Sequence, residues 1–220
     1  MTETHVEPII FVCNPNNPTG TFWDTPTLTA FLDRVAGEQI VVLDEAYGEY
    51  VESPDFPDGM RLLDRYPNLV IFRTFSKMYA LAGLRIGYLC ASPEVTDVIR
   101  RTHVVYSVNS LAQQAAAATL DDDAELIRRT RDMVRTGKIM VRELCADLGL
   151  GFQCGEGNFV MIRVPVSDTL LYRKLMARGV MVRTMTGFRF PGWIRVSLVQ
   201  EEVMEEFGRA LRAVLQPANA

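Results

Sequence analysis

The chain has 220 residues, 48% hydrophobic and 23% charged, with a formal net charge of −4 at pH 7. Those fractions are ordinary for a folded chain and exclude a disordered or collagen-like polymer. The length suits one large domain or two modest ones, and the absence of any basic block argues against a nucleic-acid partner.

In chain order, Ile9–Cys13, Ile40–Leu43, Leu69–Arg73 and Ile86–Ala91 are short apolar runs, partly β-branched and bounded by turn residues. They are predicted to be strands buried on both faces. Between the first two, Thr25–Ala36 carries Leu28, Phe31, Leu32 and Val35 at helical spacing. Strands alternating with helices predict a mainly parallel α/β sheet. The acidic run Asp121–Asp123 reads as a helix N-terminus favoured by the macrodipole. It leads into a long amphipathic helix near 123–148, striped by Leu126, Ile127, Met133, Val134, Met140, Val141 and Leu148. A strand (Phe159–Val164), a helix (Thr169–Ala177), two strands (Val180–Arg183 and Trp193–Leu198) and a last helix (Glu202–Leu215) follow. The chain therefore divides into residues 1–120, an α/β unit, and residues 121–220, a smaller α+β unit. No internal repeat or low-complexity tract is visible.

Cys13, Cys90, Cys145 and Cys154 form no C-x-x-C pair, and His5 and His103 lie far apart. No metal site is expected, and the thiols read as small apolar residues of a reducing compartment, placing the chain in the cytoplasm. The N-terminal TETHVEPIIFVCN has no basic region followed by a long apolar stretch, so no signal peptide is expected. No window approaches about 18 consecutive apolar residues, so no membrane span or membrane partner is expected.

The chemistry-bearing stretches are Asn14-Pro-Asn-Asn-Pro-Thr-Gly20, Asp44-Glu-Ala-Tyr47, Arg73-Thr-Phe-Ser-Lys77 and Gly83-Leu-Arg85-Ile-Gly87. Each falls at or just past the end of a predicted strand, or at the start of the next, the edge where open α/β sheets bind ligands. Taken singly, each also has a structural reading. The first is a strong turn sequence, Asp44 a cap, Lys77 a surface lysine and Arg85 half of a salt bridge. Arg195, in Trp-Ile-Arg-Val-Ser-Leu, sits inside an apolar strand, where a charge needs a partner.

Together, NPNNPTG, DEAYGEY, RTFSKMYALAGLRIGY and WIRVSL resemble the class I/II aminotransferases of the fold-type I pyridoxal-phosphate enzymes, most of all their histidinol-phosphate aminotransferase branch. The resemblance covers essentially the whole chain. It implies pyridoxal 5′-phosphate as cofactor, with Lys77 forming the internal Schiff base and later shuttling a proton. It assigns Asp44 to the pyridine nitrogen, Asn17 and Tyr47 to the ring hydroxyl, and Thr74, Ser76 and Arg85 to the phosphate. A guanidinium can take two phosphate oxygens at once. Arg195 is implied as the clamp for the substrate α-carboxylate. Arg183 is implied as a second basic residue near the substrate side chain or its phosphate, and Asn158, with Asn17, as a residue approaching the substrate.

The implied reaction is ping-pong amino transfer between an amine or amino acid and a 2-oxo acid, with histidinol phosphate and 2-oxoglutarate first among substrates. The alternatives are an aromatic amino-acid aminotransferase, a lyase or decarboxylase on the same fold, and a catalytically incomplete fragment. The implied architecture is a partial cofactor-binding large domain over 1–120 and a small C-terminal domain over 121–220. Similar proteins are homodimers.

Family members carry a substantial part ahead of the NPNNPTG strand. It includes a glycine-rich loop for the phosphate, an aromatic residue that stacks on the cofactor ring, and a tyrosine reaching into the neighbouring subunit. None of these stands in this sequence, so the chain looks like the C-terminal portion of an aminotransferase. Exposed apolar sheet surface, self-association and weak cofactor binding are the expected consequences.

Overall fold

A computed structural model of the chain describes residues 9–35, 39–121 and 123–216. His5, Ala36 and Asp122 lie outside the described residues. Contacts divide the chain into two units. One comprises the residues up to Asn16 together with Thr21–Ile127, and the other comprises Asn17–Gly20 and the residues from Arg128 onward.

The first unit is built on strands β1 (Ile9–Cys13), β2 (Ile40–Asp44), β3 (Leu69–Thr74) and β4 (Gly87–Ala91), hydrogen-bonded in that order. The pairs β1–β2 and β2–β3 are parallel, as the sequence predicts. Helix α1 (Thr25–Val35) makes the first crossover, and the one-turn helix α2 (Gly59–Leu62) lies between β2 and β3. The α1 residues Leu28 and Leu32 close one face of the sheet against Val41, Leu43, Leu69 and Ile71, all fully buried, with Tyr66 beside them. Fully burying an aliphatic side chain of this size contributes about 1.5–3 kcal/mol. This cluster therefore fixes the register on which the strand ends depend.

The sheet is mainly parallel, as expected, but it contains one antiparallel pair and departs from expectation in burial. First, β4 runs antiparallel to β3, with Thr74 opposite Gly87 and Val70 opposite Ala91. The connection from β3 to β4 holds only a turn and a short 3-10 helix, too little to carry the chain back for a parallel pairing. Second, β1 and β4 are not buried on both faces. Ile9 is 57% exposed and Phe11 65%, because α1 covers only the opposite face and β1 is an edge strand among the described residues. Phe72 of β3 is also exposed.

After β4 come α3 (Pro93–Thr102), capped by the Ser92 side chain accepting from the Val95 N–H, and the small-residue helix α4 (Ser110–Asp121). Helix α5 runs over Asp123–Leu148 with Asp123 and Glu125 in its first turn, where carboxylates favour the positive helix end.

The second unit holds an antiparallel sheet of β5 (Phe152–Cys154), β6 (Phe159–Arg163), β7 (Arg183–Thr184) and β8 (Trp193–Ser197), in the order β5-β6-β8-β7. Helices α6 (Asp168–Met176) and α7 (Glu201–Leu215) pack against each other. The predicted strand at Val180–Arg183 is corrected to the two-residue β7. The Val180 N–H is drawn back to the Leu175 carbonyl at the end of α6, so the chain is extended for pairing only from Arg183. The three-residue β5 is too short to show a period in sequence. Asp168 is almost completely buried. It accepts from the backbone N–H of Met185 (2.9 Å) and of Thr186 (2.9 Å) and from the Thr186 hydroxyl (2.6 Å), tying α6 to the segment between β7 and β8.

Candidate active site

In the first unit the ends of β2, β3 and β4 border a cavity of about 530 Å³ lined by Asp44, Thr74, Ser76, Lys77 and Arg85, with Arg73 and Tyr88 on its wall. Each side chain is presented by a local device. Asp44 is the last residue of β2, and its Oδ1 accepts from the Ala46 N–H at 3.0 Å. This short loop bond turns the chain sharply after the strand. Thr74 ends β3, and its Oγ1 accepts from the Ser76 N–H at 3.0 Å. Beyond it the Phe75 N–H donates to the Ile86 carbonyl (3.2 Å) and the Leu81 N–H to the Phe75 carbonyl (2.9 Å), so the segment carrying Lys77 is closed at its root. Arg85 takes a left-handed conformation (φ 53°) and donates to the Ala82 carbonyl at 2.8 Å.

Lys77 is exposed, with its Nζ 5.5 Å from the centre of the buried Tyr47 ring. Tyr47 thus stands beside the lysine without lining the cavity itself. Tyr79, two residues on, is buried, and desolvation pushes its hydroxyl up to about 12.

In the second unit Arg195 on β8 and Arg183 on β7 are direct cross-strand partners, and both line a cavity of about 410 Å³. Two like charges facing each other across a ladder oppose pairing, so this arrangement favours an anion between or beside them. The Arg195 guanidinium lies 5.2 Å from the centre of the Phe159 ring and donates to Asn17 Oδ1. Its Nε is buried and has no hydrogen-bond partner among the described residues. Arg183 stacks over Phe188 at 5.5 Å. Asn158 is half-buried at the entry to β6, where its carbonyl accepts from the Leu198 N–H at 2.8 Å. Asn17 is exposed on a four-residue segment that belongs to this unit by contacts. There the Gly20 carbonyl accepts from the Glu156 N–H at 2.6 Å. A Cβ on Gly155 would lie 2.3 Å from the Gly20 carbonyl oxygen.

The residues singled out from sequence thus assemble in two sets: Asp44, Tyr47, Thr74, Ser76, Lys77 and Arg85 in the first unit, and Asn17, Arg183 and Arg195 in the second. Asn158 reaches neither cavity lining. Sequence reasoning passed over Arg73, Glu45 and Glu49, whose side chains form a network against the wall of the first cavity. A glutamate directly after Asp44 and an arginine ending an apolar strand were the available signals.

The aminotransferase class I and II family model matches residues 2–211. A protein of Cupriavidus pinatubonensis named histidinol-phosphate aminotransferase 1 is 43% identical over 211 residues, covering 94% of this chain and 56% of the relative. Histidinol-phosphate aminotransferase 2 of Pseudomonas aeruginosa is 42% identical, with 94% and 56% covered. The chain therefore spans about 56% of the length of these curated relatives. Among solved structures, histidinol-phosphate aminotransferase from Sinorhizobium meliloti, in complex with pyridoxal-5′-phosphate, superposes with a TM-score of 0.83 at 27% identity, covering 96% of this chain and 58% of that one. A putative histidinol-phosphate aminotransferase from Erwinia carotovora atroseptica gives 0.85 at 26% identity, with 93% and 59% covered. L-threonine-O-3-phosphate decarboxylase from Porphyromonas gingivalis, at 0.84 and 23% identity, shares the fold. With the match running from residue 2 into the last helix, the chain belongs to the aminotransferase class I and II family.

Proposed function

We propose that this chain supplies the lysine-bearing part of a pyridoxal-phosphate-dependent aminotransferase acting on histidinol phosphate and a 2-oxo acid. The observation that carries the reading is the cavity lined together by an amine, a carboxylate, two hydroxyls and a guanidinium: Lys77, Asp44, Thr74, Ser76 and Arg85. That donor set fits an aldehyde, a pyridinium and a phosphate dianion. The cofactor, when bound, supplies an electron sink for the bonds to the substrate Cα.

The remaining roles belong to the chain. Lys77 supplies the amine that bonds the aldehyde, and once released it is positioned to move a proton at Cα. Asp44 favours a protonated ring nitrogen. Tyr47 and Asn17 donate to the ring hydroxyl, while Thr74, Ser76 and Arg85 hold the phosphate. Arg195 clamps the substrate carboxylate, and its buried Nε, without a hydrogen-bond partner among the described residues, is consistent with a ligand oxygen there. Arg183 faces the substrate's second anionic group, and Asn158 lies near the substrate. Residues 1–120 serve as the cofactor-binding part and 121–220 as the small domain of a cytoplasmic homodimer in the full-length form.

The test is to mix the 220-residue chain with pyridoxal phosphate, record the visible spectrum, reduce with borohydride and map the labelled peptide. Label on Lys77 alone supports the reading. Scattered labelling, or none, overturns cofactor binding by this chain. Turnover with phenylpyruvate but not with imidazole-acetol phosphate would reverse the substrate order in favour of aromatic amino acids.

A further inference from the structure

Arg73 lies at the centre of a charged network with a particular geometry. It sits one residue before Thr74 on β3, with Tyr88 of β4 as its register partner. Its Nε (2.9 Å) and one terminal nitrogen (2.5 Å) both reach Glu45 Oε2, and the other terminal nitrogen reaches Glu49 Oε1 at 3.3 Å. Glu45 is fully buried and the Glu49 side chain nearly so.

The two glutamates lie four residues apart, and Tyr47 stands between them. Glu45 directly follows Asp44. The Glu45 N–H extends the sheet by donating to the Phe72 carbonyl, and the Gly48 N–H closes back on the Glu45 carbonyl, each at 2.9 Å. One guanidinium therefore grips both ends of the turn that presents Asp44 and Tyr47. The second Glu45 oxygen, Oε1, is buried with no hydrogen-bond partner among the described residues, so Arg73 is the counter-charge this carboxylate depends on. A buried carboxylate left alone must reorient toward water or take up a proton. Either response moves the turn.

We propose that Arg73 is a positioning residue that, through Glu45 and Glu49, holds the Asp44–Tyr47 turn in the orientation the cavity presents to its ligand. The ligand's identity rests on the proposed cofactor reading; the hold on the turn does not.

The test uses the 220-residue chain and its Arg73→Gln, Arg73→Lys and Glu49→Gln variants, with amide hydrogen exchange read residue by residue. Opening of the turn alone should speed exchange at Ala46, whose N–H is held by Asp44, and at Gly48 and Val51, by about tenfold or more, while Val41 and Ile71 keep the parent rate. Arg73→Lys, able to meet one carboxylate at a time, should fall between parent and Arg73→Gln. Should Arg73→Gln fail to fold, Glu49→Gln leaves the buried pair in place, and its expected change is confined to Gly48 and Val51. Parent-like exchange at 46–51, or acceleration equal to that of Val41 and Ile71, overturns the proposal.

A second measurement takes pyridoxal phosphate affinity in the same variants with and without Asp44→Asn. Arg73→Gln should weaken binding about tenfold when Asp44 is present and add little when it is absent, since residues acting through one another are not additive. Equal weakening in both backgrounds overturns a role exerted through Asp44. A parent chain that binds no pyridoxal phosphate overturns the cofactor reading, while the exchange data still decide the hold on the turn.

Discussion

The Lys77 amine sits 5.5 Å from the centre of the Tyr47 ring, an exposed cation over the face of a buried aromatic. Such a contact contributes about 0.5–1 kcal/mol at an exposed position, and it draws the lysine toward the Asp44–Tyr47 turn. Lys77→Arg keeps the cation over the ring but removes the nucleophilic amine. The variant is expected to melt as the parent does, within about 0.5 kcal/mol, and to lose borohydride labelling entirely. Thermal melting and peptide mapping check both halves.

Gly59, in α2, has no room for a side chain. A Cβ there would stand 2.3 Å from Glu45 Oε1 and 3.1 Å from Ile71 Cδ1. Gly59→Ala should cost about 1–3 kcal/mol through overpacking. A Cβ on Gly83 would meet nothing within 4 Å, so Gly83→Ala is the matched control and should leave the denaturation midpoint near the parent value. Urea unfolding of the pair measures the difference.

Asp168 makes the second unit sensitive to acid. Burial alone would raise its carboxyl, but the Thr186 hydroxyl and the backbone N–H groups of Thr186 and Met185 outweigh that and hold it below the ordinary carboxylate range. A group whose folded value is depressed contributes stability that is present above its unfolded value, near pH 4, and is lost as pH falls through the folded value. Asp168→Asn should therefore destabilise the chain at pH 7 by about 1.5–3 kcal/mol. The gap should narrow as the pH falls below about 4. Melting curves from pH 7 down to the acid limit follow this directly.

Gly155→Ala should disturb Asn17 without touching it. The added methyl would lie 2.3 Å from the Gly20 carbonyl oxygen, which is backbone and cannot swing aside as a side chain can. The expected result is faster amide exchange at Glu156, whose N–H holds that carbonyl, and a melting loss of about 1–3 kcal/mol.

Ile9 and Phe11 leave exposed apolar surface along one face of the edge strand β1. The 220-residue chain should associate with rising concentration, and Phe11→Lys should lower the association. Light scattering over a dilution series gives the comparison. A monodisperse parent chain that also binds pyridoxal phosphate tightly would contradict the expectation.

The parallel strands β1 to β3, α1, the long helix α5 and the last helix α7 were legible in sequence because each carries a clear apolar period. The direction of β4 was not, since Ile86–Ala91 reads alike whichever way the strand runs and only the short connection from β3 decides it. Exposed apolar sheet surface was expected, but not that Phe11 would carry it, because an apolar residue in a strand carries no mark of what covers it. The residues that line the candidate cavity were legible through chemistry at strand ends: an amine, a carboxylate and a guanidinium recurring at one sheet edge. Arg73, Glu45 and Glu49 were hidden for the opposite reason. Their partnership spans 28 residues between Arg73 and Glu45, and no local pattern shows that a charge on β3 is answered just beyond β2.

The antiparallel pairing of β3 with β4 makes the segment between them a ruler. Thr74 and Gly87 form its last rung, and the Phe75–Ile86 bond marks its first division. Lys77 and Arg85 are both counted inward from that mark, from opposite directions. A residue inserted or deleted between them would leave the sheet intact but move one group against the other. Changes of length are thus far less tolerable here than in the connection after β4, where nothing in the cavity is measured.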